Sequence, residues 1–209
     1  MQGWRAPDRG ALFVLSGPSG VGKSSVIQRA MARVPHLGFS VSATTRAPRA
    51  GEKEGEHYHF IDSGDFASRV EAGAFLEHAT VYDRRYGTLR APTEAALGAG
   101  HSLILDIDVQ GAAQVRRAMP EAVTVFLAPP DIGALALRLR SRGTDSEEVI
   151  RRRMEQVAVQ VGEIGAFDFI LVNDVLETTQ TVFEGIVLAE LHRRSRRGSV
   201  VGAMLRELP

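Results

Sequence analysis

Short apolar runs alternate with amphipathic stretches along most of the 209-residue chain. The apolar runs occupy residues 11–16, 102–106, 123–127 and 169–172, and each is bounded by Gly, Pro, Asp or Asn. Helical spacing of apolar positions occupies the stretches 112–118, 132–140, 147–164 and 178–193. Apolar strands that alternate with helices predict a mostly parallel sheet covered by helices on both faces, which is an α/β fold.

The stretch from residue 36 to residue 90 interrupts this alternation. It is rich in Gly, Thr, Arg, Tyr and Glu, and its pattern indicates short strands and loops. We therefore predict a small subdomain inserted after the first helix. Ligands of open α/β sheets bind at the carboxyl ends of the strands, so an insertion at this end is a natural place for a second substrate.

A glycine-rich loop lies between the first apolar run and the first helical pattern. Its sequence is Gly17-Pro18-Ser19-Gly20-Val21-Gly22-Lys23-Ser24, followed by Ser25. This is the G-x-x-x-x-G-K-[ST] pattern, in which backbone N–H groups hold nucleotide phosphates. Lys23 would reach the β- and γ-phosphates and the Ser24 hydroxyl would bind Mg²⁺. Lys23 is one of only two lysines among 25 basic residues, and it stands where a compact, mobile ammonium suits the chemistry.

Composition narrows the class of protein. Apolar content of 44% and charged content of 24% are typical of a soluble globular protein. A net charge of zero argues against a broad nucleic-acid-binding face, and we expect no nucleic-acid partner. The chain has no cysteine, no apolar stretch of membrane-spanning length and no secretory pattern in its first ten residues. We therefore expect no membrane association and a cytoplasmic location.

Two carboxylates follow the second apolar run. Asp106 ends that run, and a carboxylate at a strand end near such a loop commonly helps to hold Mg²⁺, often through water. Asp108 comes two residues later and would point to the same side if the strand continued. The alternative, that Asp106 caps a turn or helix, is weaker because the apolar pattern continues past it.

Two arginines and two tyrosines in the inserted stretch suit a phosphate monoester. Arg46 and Arg49 offer forked donors, and Tyr58 and Tyr86 can each donate a hydroxyl hydrogen bond. The alternative is a solvated basic loop, but two arginines and two tyrosines beside a phosphate loop favour a binding site.

Six arginines surround Gly143, at positions 138, 140, 142, 151, 152 and 153. This pattern indicates a mobile lid that closes over polyphosphate, excludes water and supplies positive charge. Arg138 and Arg142 would share one helix face. For Arg140, Arg151 and Arg152 we retain the alternative of an exposed, arginine-rich helix pair.

These segments together resemble the guanylate kinase family from about Leu12 to Arg193. The resemblance is carried by the loop and by the stretches 42–58, 75–79, 86–88, 105–111, 138–148 and 172–174. It implies a P-loop NTPase-type parallel sheet core flanked by helices, with a small mixed-β GMP-binding subdomain and an arginine-rich helical lid. One domain would span 1–209, with its core at 11–35, 91–137 and 154–197, the GMP-binding subdomain at 36–90 and the lid at 138–153.

The resemblance also implies the reaction and its residues. It implies transfer of the γ-phosphoryl group of Mg²⁺-ATP to GMP, in purine nucleotide metabolism, by a monomer or weak homo-oligomer. ATP would be bound by residues 17–25 and Asn173, with Ser24 and Asp106 near Mg²⁺. The GMP phosphate would be held by Arg46, Arg49, Tyr58 and Tyr86, and guanine by Ser42, Glu77, Thr88 and Asp108. Catalysis would use Lys23, Arg46, Arg138, Arg142 and Arg153.

Hydrogen-bonding chemistry supports guanine as the base. Guanine presents an N1–H and an amino group on one edge, and the Glu77 carboxylate can accept from both. Adenine has an acceptor at N1, which would leave buried carboxylate lone pairs unpaired. Two alternatives remain: a non-catalytic guanylate-kinase-like protein-binding module and another nucleoside monophosphate kinase. The sequence departs from the family pattern at Arg85, where we expect an extra charge beside the GMP phosphate, and at Val175.

Overall fold

Five parallel strands form the central sheet of the computed structural model. The structure describes residues 5–81, 83–141 and 147–208. At positions 138, 139, 141, 147 and 152 it describes the backbone but not the side chain. The strand order is β2-β7-β1-β8-β9. The strands are β1 (Leu12–Ser16), β2 (Leu37–Phe39), β7 (Ser102–Asp106), β8 (Val123–Ala128) and β9 (Phe169–Val172). Each neighbouring pair is parallel. The predicted parallel sheet is confirmed.

The central strand explains why the runs are apolar throughout. Every residue of β1 is buried, because the strand is covered on both faces. Phe13 and Leu15 pack into the core beneath one set of helices. Leu12 and Val14 pack into a second core on the opposite face.

Eight helices surround the two sheets in the described part of the chain. They are α1 (Lys23–Arg33), α2 (Ser63–Glu71), α3 (Arg90–Gly98), α4 (Val109–Ala118), α5 (Ile132–Ser141), α6 (Glu147–Gly162), α7 (Leu176–Leu191) and α8 (Gly198–Arg206). Apolar residues of α1, α6 and α7 cover one face of the large sheet, and those of α3 and α4 cover the other. Helices on both faces were predicted. None of the helices in the described ranges is long and apolar enough to cross a bilayer.

A second sheet contains four strands in the order β4-β3-β6-β5. These strands are β3 (Ser42–Thr44), β4 (Tyr58–Phe60), β5 (Phe75–Val81) and β6 (Arg84–Leu89). β3 and β4 are parallel, whereas β3 and β5 are each antiparallel to β6, so the sheet is mixed. This matches the mixed-β character expected of the inserted stretch.

The register of the second sheet sorts its side chains onto two faces. One face is covered by α2 through a small core of Ala43, Phe66, Phe75 and Leu89. The rings of Phe66 and Phe75 stack at a centroid distance of 4.5 Å. The opposite face carries five of the residues predicted to bind GMP, namely Ser42, Tyr58, Glu77, Tyr86 and Thr88.

The inserted stretch differs from the expectation in two ways. β2 pairs with β7 in the large sheet, so the small sheet begins after Phe39 rather than at residue 36. The stretch also contains the helix α2, where only strands and loops were expected. Asp62 caps α2 by accepting a hydrogen bond from the Asp65 N–H at 2.8 Å, which is a local signal that composition alone does not reveal.

Phe66→Ala is predicted to destabilise the protein by about 3 kcal/mol, because the ring is fully buried in a small core that cannot collapse around the cavity. Urea denaturation would measure the change. Phe39→Ala is the matched control, since Phe39 is 47% exposed, and should change stability by less than about 1 kcal/mol. Equal losses in the two variants would contradict this account of the small core.

Candidate active site

The glycine-rich loop connects β1 to α1 and approaches the neighbouring strands very closely. Gly17, Gly20 and Gly22 all have positive φ, which favours glycine. A Cβ on Gly17 would lie 2.2 Å from the carbonyl oxygen of Leu127, and one on Gly22 would lie 2.5 Å from the Asn173 amide nitrogen. The loop therefore requires glycine at these two positions both for conformation and for space.

The loop ends at the N-terminus of α1, which begins at Lys23. The preceding residue is Gly22, so no side chain there can cap the helix. The first N–H groups of a helix have no partner within the helix, and together with the helix dipole they form a binding site for an anion. Ser24 and Ser25 in this first turn are both exposed.

The Lys23 amine lies over the loop. It donates hydrogen bonds to the carbonyl oxygens of Gly17 at 2.7 Å and Pro18 at 3.3 Å. It also lies 3.8 Å from a carboxylate oxygen of Asp106 at the end of β7. The ammonium therefore bridges the loop and the neighbouring strand end.

Asp106 lies where its carboxylate is partly desolvated. This desolvation raises the pKa of Asp106, and the nearby Lys23 opposes the shift. Although 28% of the side chain stays accessible, the surrounding groups displace enough water to disfavour the charged form. A cation bound here would favour the ionised carboxylate.

Among the described side chains of the predicted lid, that of Arg153 lies close to the glycine-rich loop. The Arg153 guanidinium on α6 lies 3.5 Å from the Ser19 hydroxyl, which places α6 beside the loop. Arg142 lies outside the described residues. Arg138 falls on α5, but its side chain is also outside what the structure describes.

Asn173 contacts the loop directly. Its amide nitrogen donates to the Val21 carbonyl at 2.7 Å, and its backbone N–H donates to Ala128 at the end of β8 at 2.8 Å. The side chain is buried. Asn173 therefore ties the loop to the carboxyl ends of β8 and β9, a supporting contact that the sequence pattern did not indicate.

The second group of predicted residues surrounds Arg46. Its guanidinium carbon lies 5.3 Å from the ring centre of Tyr58 and 5.9 Å from that of Phe60. The Tyr58 and Tyr86 rings meet edge to face at 6.1 Å. A hydrogen bond to Tyr86 also contributes to a raised pKa of Arg46, after the larger effect of Glu52. The structure thus brings Arg46, Tyr58 and Tyr86 together.

Glu52 is a residue of this group that the sequence analysis missed. One of its oxygens accepts from the Arg46 guanidinium at 2.8 Å, and the other accepts from the Arg49 backbone N–H at 2.7 Å. The Arg46 hydrogen bond is the main reason that the pKa of Glu52 falls to about 2. Its position six residues after Arg46, with Arg49 between, was the available signal.

Glu77 is the buried carboxylate of the small sheet, with 6% of its surface exposed. The Thr88 hydroxyl donates to one of its oxygens at 2.7 Å. Burial raises the pKa of Glu77, the hydrogen bonds from Thr88 oppose that shift, and the charge of Asp108 adds to it. Gly111 on α4 faces the other oxygen, because a Cβ there would lie 3.3 Å from it.

Asp108 does not continue strand β7, contrary to the expectation of two carboxylates at strand spacing. β7 ends at Asp106, and Asp108 is the N-cap of α4, where it accepts from the Gly111 N–H at 2.8 Å.

Helix α4 contacts β5 through Gln114. The Gln114 amide accepts from the His78 N–H at 3.1 Å and donates to the His78 carbonyl at 3.0 Å.

The extra charge of Arg85 lies on the other face of the small sheet. Arg85 and Tyr86 are adjacent in β6 and so point to opposite faces. The Arg85 guanidinium lies 5.8 Å from the Phe66 ring centre, on the face covered by α2. The expectation of an extra charge from Arg85 beside the GMP phosphate is therefore wrong, because strand alternation turns its side chain away from Tyr86, which is predicted to hold that phosphate.

These features fall into two groups whose chemistry suits anions, one at the glycine-rich loop and one around Arg46, Tyr58 and Tyr86. The N-terminus of α1 at Lys23 suits a polyphosphate. Arg46, Tyr58 and Tyr86, called here the Arg46 cluster, suit a phosphate monoester. Asp106 contacts Lys23, and two residues later Asp108 acts electrostatically on Glu77. The arrangement can bring a phosphoryl donor and an acceptor together and neutralise charge between them.

The chain resembles known proteins over most of its length. The family model described as guanylate kinase matches residues 9–190. A guanylate kinase of Neisseria gonorrhoeae is 45% identical over 197 residues, covering 94% of this chain and 96% of that protein. One of Thermus thermophilus is 46% identical over 198 residues, covering 95% and 90% respectively. The crystal structure of guanylate kinase from Anaplasma phagocytophilum aligns with a TM-score of 0.68 at 31% identity, covering 92% of each chain.

The raised pKa of Glu77 predicts how a Glu77→Gln variant behaves with pH. Below the unfolded value near 4.5, both the folded and unfolded states hold the proton and burial carries no ionic penalty. As pH rises through the folded pKa, the native carboxylate must ionise in a desolvated site and wild type loses stability that the neutral amide retains. Urea denaturation between pH 4 and pH 8 should therefore show the variant gaining stability over wild type as pH rises. A difference that is constant with pH would contradict this assignment.

Proposed function

Since the chain belongs to the guanylate kinase family and is an enzyme that phosphorylates GMP, we propose that its glycine-rich loop binds the phosphates of ATP and its small sheet binds GMP. The single observation that carries this division is the buried Glu77 carboxylate, which faces α4 on the sheet that also bears the Arg46 cluster. A carboxylate with one oxygen satisfied by Thr88 still has lone pairs for a base that presents donors.

The donor site uses backbone more than side chains. The N–H groups of the loop and of the first turn of α1 surround the β- and γ-phosphates. Asn173 stabilises the loop by donating a hydrogen bond to the Val21 carbonyl. Lys23 exchanges its carbonyl partners for phosphate oxygens when the nucleotide binds. Its flexible stem lets the charge follow the phosphoryl group as it moves.

Mg²⁺ fits the donor set beside the loop. The Ser24 hydroxyl and the Asp106 carboxylate are oxygen ligands, the type that Mg²⁺ prefers. Mg²⁺ usually keeps several waters and is held by one or two carboxylates together with substrate phosphates. The ion would neutralise charge that develops on the phosphates.

The acceptor site holds GMP at both ends. Arg46, Arg49, Tyr58 and Tyr86 bind its phosphate through forked and hydroxyl donors. Ser42, Glu77, Thr88 and Asp108 surround guanine, with Glu77 accepting from N1–H and the amino group. Gly111 places no side chain against Oε2 of Glu77, since a Cβ there would lie 3.3 Å from that oxygen.

The transfer itself needs positioning and charge neutralisation. An oxygen of the GMP phosphate attacks the γ-phosphorus of ATP while the bond from that phosphorus to the β–γ bridging oxygen breaks, giving GDP and ADP. The second pKa of a phosphate monoester is near 6, so the attacking oxygen is already ionised at neutral pH and no general base is required. Arg153, with Arg138 and Arg142, completes the charge over the transferred group when the lid closes.

An intact loop argues against the non-catalytic binding module. Gly17 and Gly22 keep the conformation and close approach that phosphate binding requires, and Lys23 is in place. Glu77 argues against a general nucleoside monophosphate kinase because its lone pairs suit guanine. A cytoplasmic monomer or weak homo-oligomer stays a prediction.

Lys23→Ala is predicted to lower kcat by about 100-fold or more, because the charge that follows the phosphoryl group is lost. A coupled assay of ADP formation with ATP and GMP would measure it. GMP affinity, followed by calorimetry, should be nearly unchanged because the acceptor site lies on the small sheet. An unchanged kcat would remove Lys23 from the mechanism.

Glu77→Gln is predicted to lower kcat/KM for GMP by about 100-fold and to erode the preference for GMP over AMP, CMP and dTMP. The amide offers one acceptor and places a donor against the guanine amino group. Glu71→Gln is the control, since Glu71 is exposed at the end of α2, and should leave both quantities unchanged. An intact preference in the Glu77 variant would show that another residue reads the base.

A further inference from the structure

Glu52 connects the two arginines proposed to bind the acceptor phosphate. Its Oε1 accepts from Arg46 Nη2 at 2.8 Å, and its Oε2 accepts from the Arg49 backbone N–H at 2.7 Å. The Glu52 N–H in turn donates to the Arg49 carbonyl at 3.0 Å. Both oxygens of one carboxylate thus fix the loop that carries the two arginines.

This contact orients a guanidinium that is otherwise held by weaker partners. Arg46 Nη1 donates to the Ala47 carbonyl at 2.7 Å, and the Tyr58 and Phe60 rings lie beside the guanidinium. Aromatic rings restrict the plane of the group but leave it free to rotate within that plane. The carboxylate adds a charged, directional contact to that of the Ala47 carbonyl, and the two together fix the rotation.

The pairing leaves donors for a phosphate. A guanidinium has five N–H groups. Glu52 and the Ala47 carbonyl each accept from one of them. These two contacts leave N–H groups of Arg46 for an anion, as a phosphate contact needs. With side-chain exposures of only 14% for Arg46 and 18% for Glu52, the arrangement is set before any ligand binds.

We propose that Glu52 is a positioning residue for the acceptor phosphate: its carboxylate bridges the Arg46 guanidinium and the Arg49 backbone, and thereby orients Arg46 toward the phosphate of GMP and fixes the loop at Arg49. The inference rests on the proposed function, because it takes the Arg46 cluster as the acceptor-phosphate site. Glu52 itself does not contact the reacting atoms.

A rival interpretation of the same contact predicts the opposite effect. If the Glu52 carboxylate occupied the position of the phosphate, it would compete with GMP, and its removal would strengthen binding. If it positions Arg46, its removal weakens binding of the phosphate and leaves binding of the nucleoside unchanged. The sign of the change in the KM for GMP separates the two.

The test compares Glu52→Gln with wild type in the coupled assay. We expect the KM for GMP to rise about tenfold, which corresponds to the loss of one charge-assisted hydrogen bond, while kcat and the KM for ATP change by less than about threefold. Guanosine, used as a competitive inhibitor without a phosphate, should bind wild type and variant equally. Partial unfolding would lower the apparent kcat but leave the KM values of the folded fraction unchanged, and a urea midpoint checks the stability of the variant directly.

Two further variants sharpen the result. Glu56→Gln is the matched control, since Glu56 lies in the same loop but pairs at its exposed position with Lys53, and its KM for GMP should equal that of wild type. Glu52→Asp keeps the charge but cannot span both partners, so its KM for GMP should be intermediate. A wild-type KM in Glu52→Asp would show that charge, rather than the bridge, is what matters and would overturn the proposal.

The remaining outcomes also decide. An unchanged or lower KM for GMP in Glu52→Gln, or an equal loss of guanosine binding, would overturn the positioning role while leaving the proposed function intact. Failure of wild type to form GDP from ATP and GMP would instead sink the proposed function, and the positioning role with it.

Discussion

The close approach of the glycine-rich loop to the carboxyl ends of β8 and β9 is the constraint on which the rest of the site depends. Gly17 passes so near the Leu127 carbonyl, and Gly22 so near Asn173, that any side chain would force the loop outward. Moving the loop would also move the N-terminus of α1 and Lys23, because the helix begins directly at that lysine. The Lys23–Asp106 contact and the approach of Arg153 would then be lost together.

The two halves of the site are coupled through one short segment. The chain leaves β7 at Asp106, which faces Lys23, and enters α4 at Asp108, which acts on Glu77. α4 is held to β5 by the paired hydrogen bonds of Gln114 with the His78 backbone. The proposed donor and acceptor sites are therefore connected by the end of a strand, a helix cap and one amide. An in-line transfer needs the two substrates to be held in a defined relative position.

The sequence predicted best those structural features that depend on the spacing of residues close together in the chain. Continuous apolar runs indicated the buried parallel strands, and the spacing of glycines with Lys23 indicated the phosphate loop. It predicted less well what depends on tertiary contact. Asp108 caps α4 because the chain turns after Asp106, and that turn has no strong local signal. Arg85 points away from Tyr86 because the two are neighbours in one strand, and this was missed because the strand itself was not predicted there. Glu52 offered only its spacing from Arg46 as a signal, and the Asn173 contact with the Val21 carbonyl joins residues far apart in the chain, so no sequence pattern shows it.

The carboxylates of the proposed site fall into two classes according to what surrounds them. Glu52 has a pKa of about 2 because Arg46 and a backbone N–H already satisfy it, so it stays charged and gains nothing further from a ligand. Glu77 and Asp106 have raised pKa values because they are desolvated before their ligands arrive. A base that donates to Glu77, or a cation beside Asp106, therefore relieves a penalty already present in the free protein. A ligand that lacks those hydrogen-bond donors or that positive charge leaves the desolvation penalty in place. Under the proposed function, selectivity follows as much from this remaining penalty as from the contacts with the correct ligand.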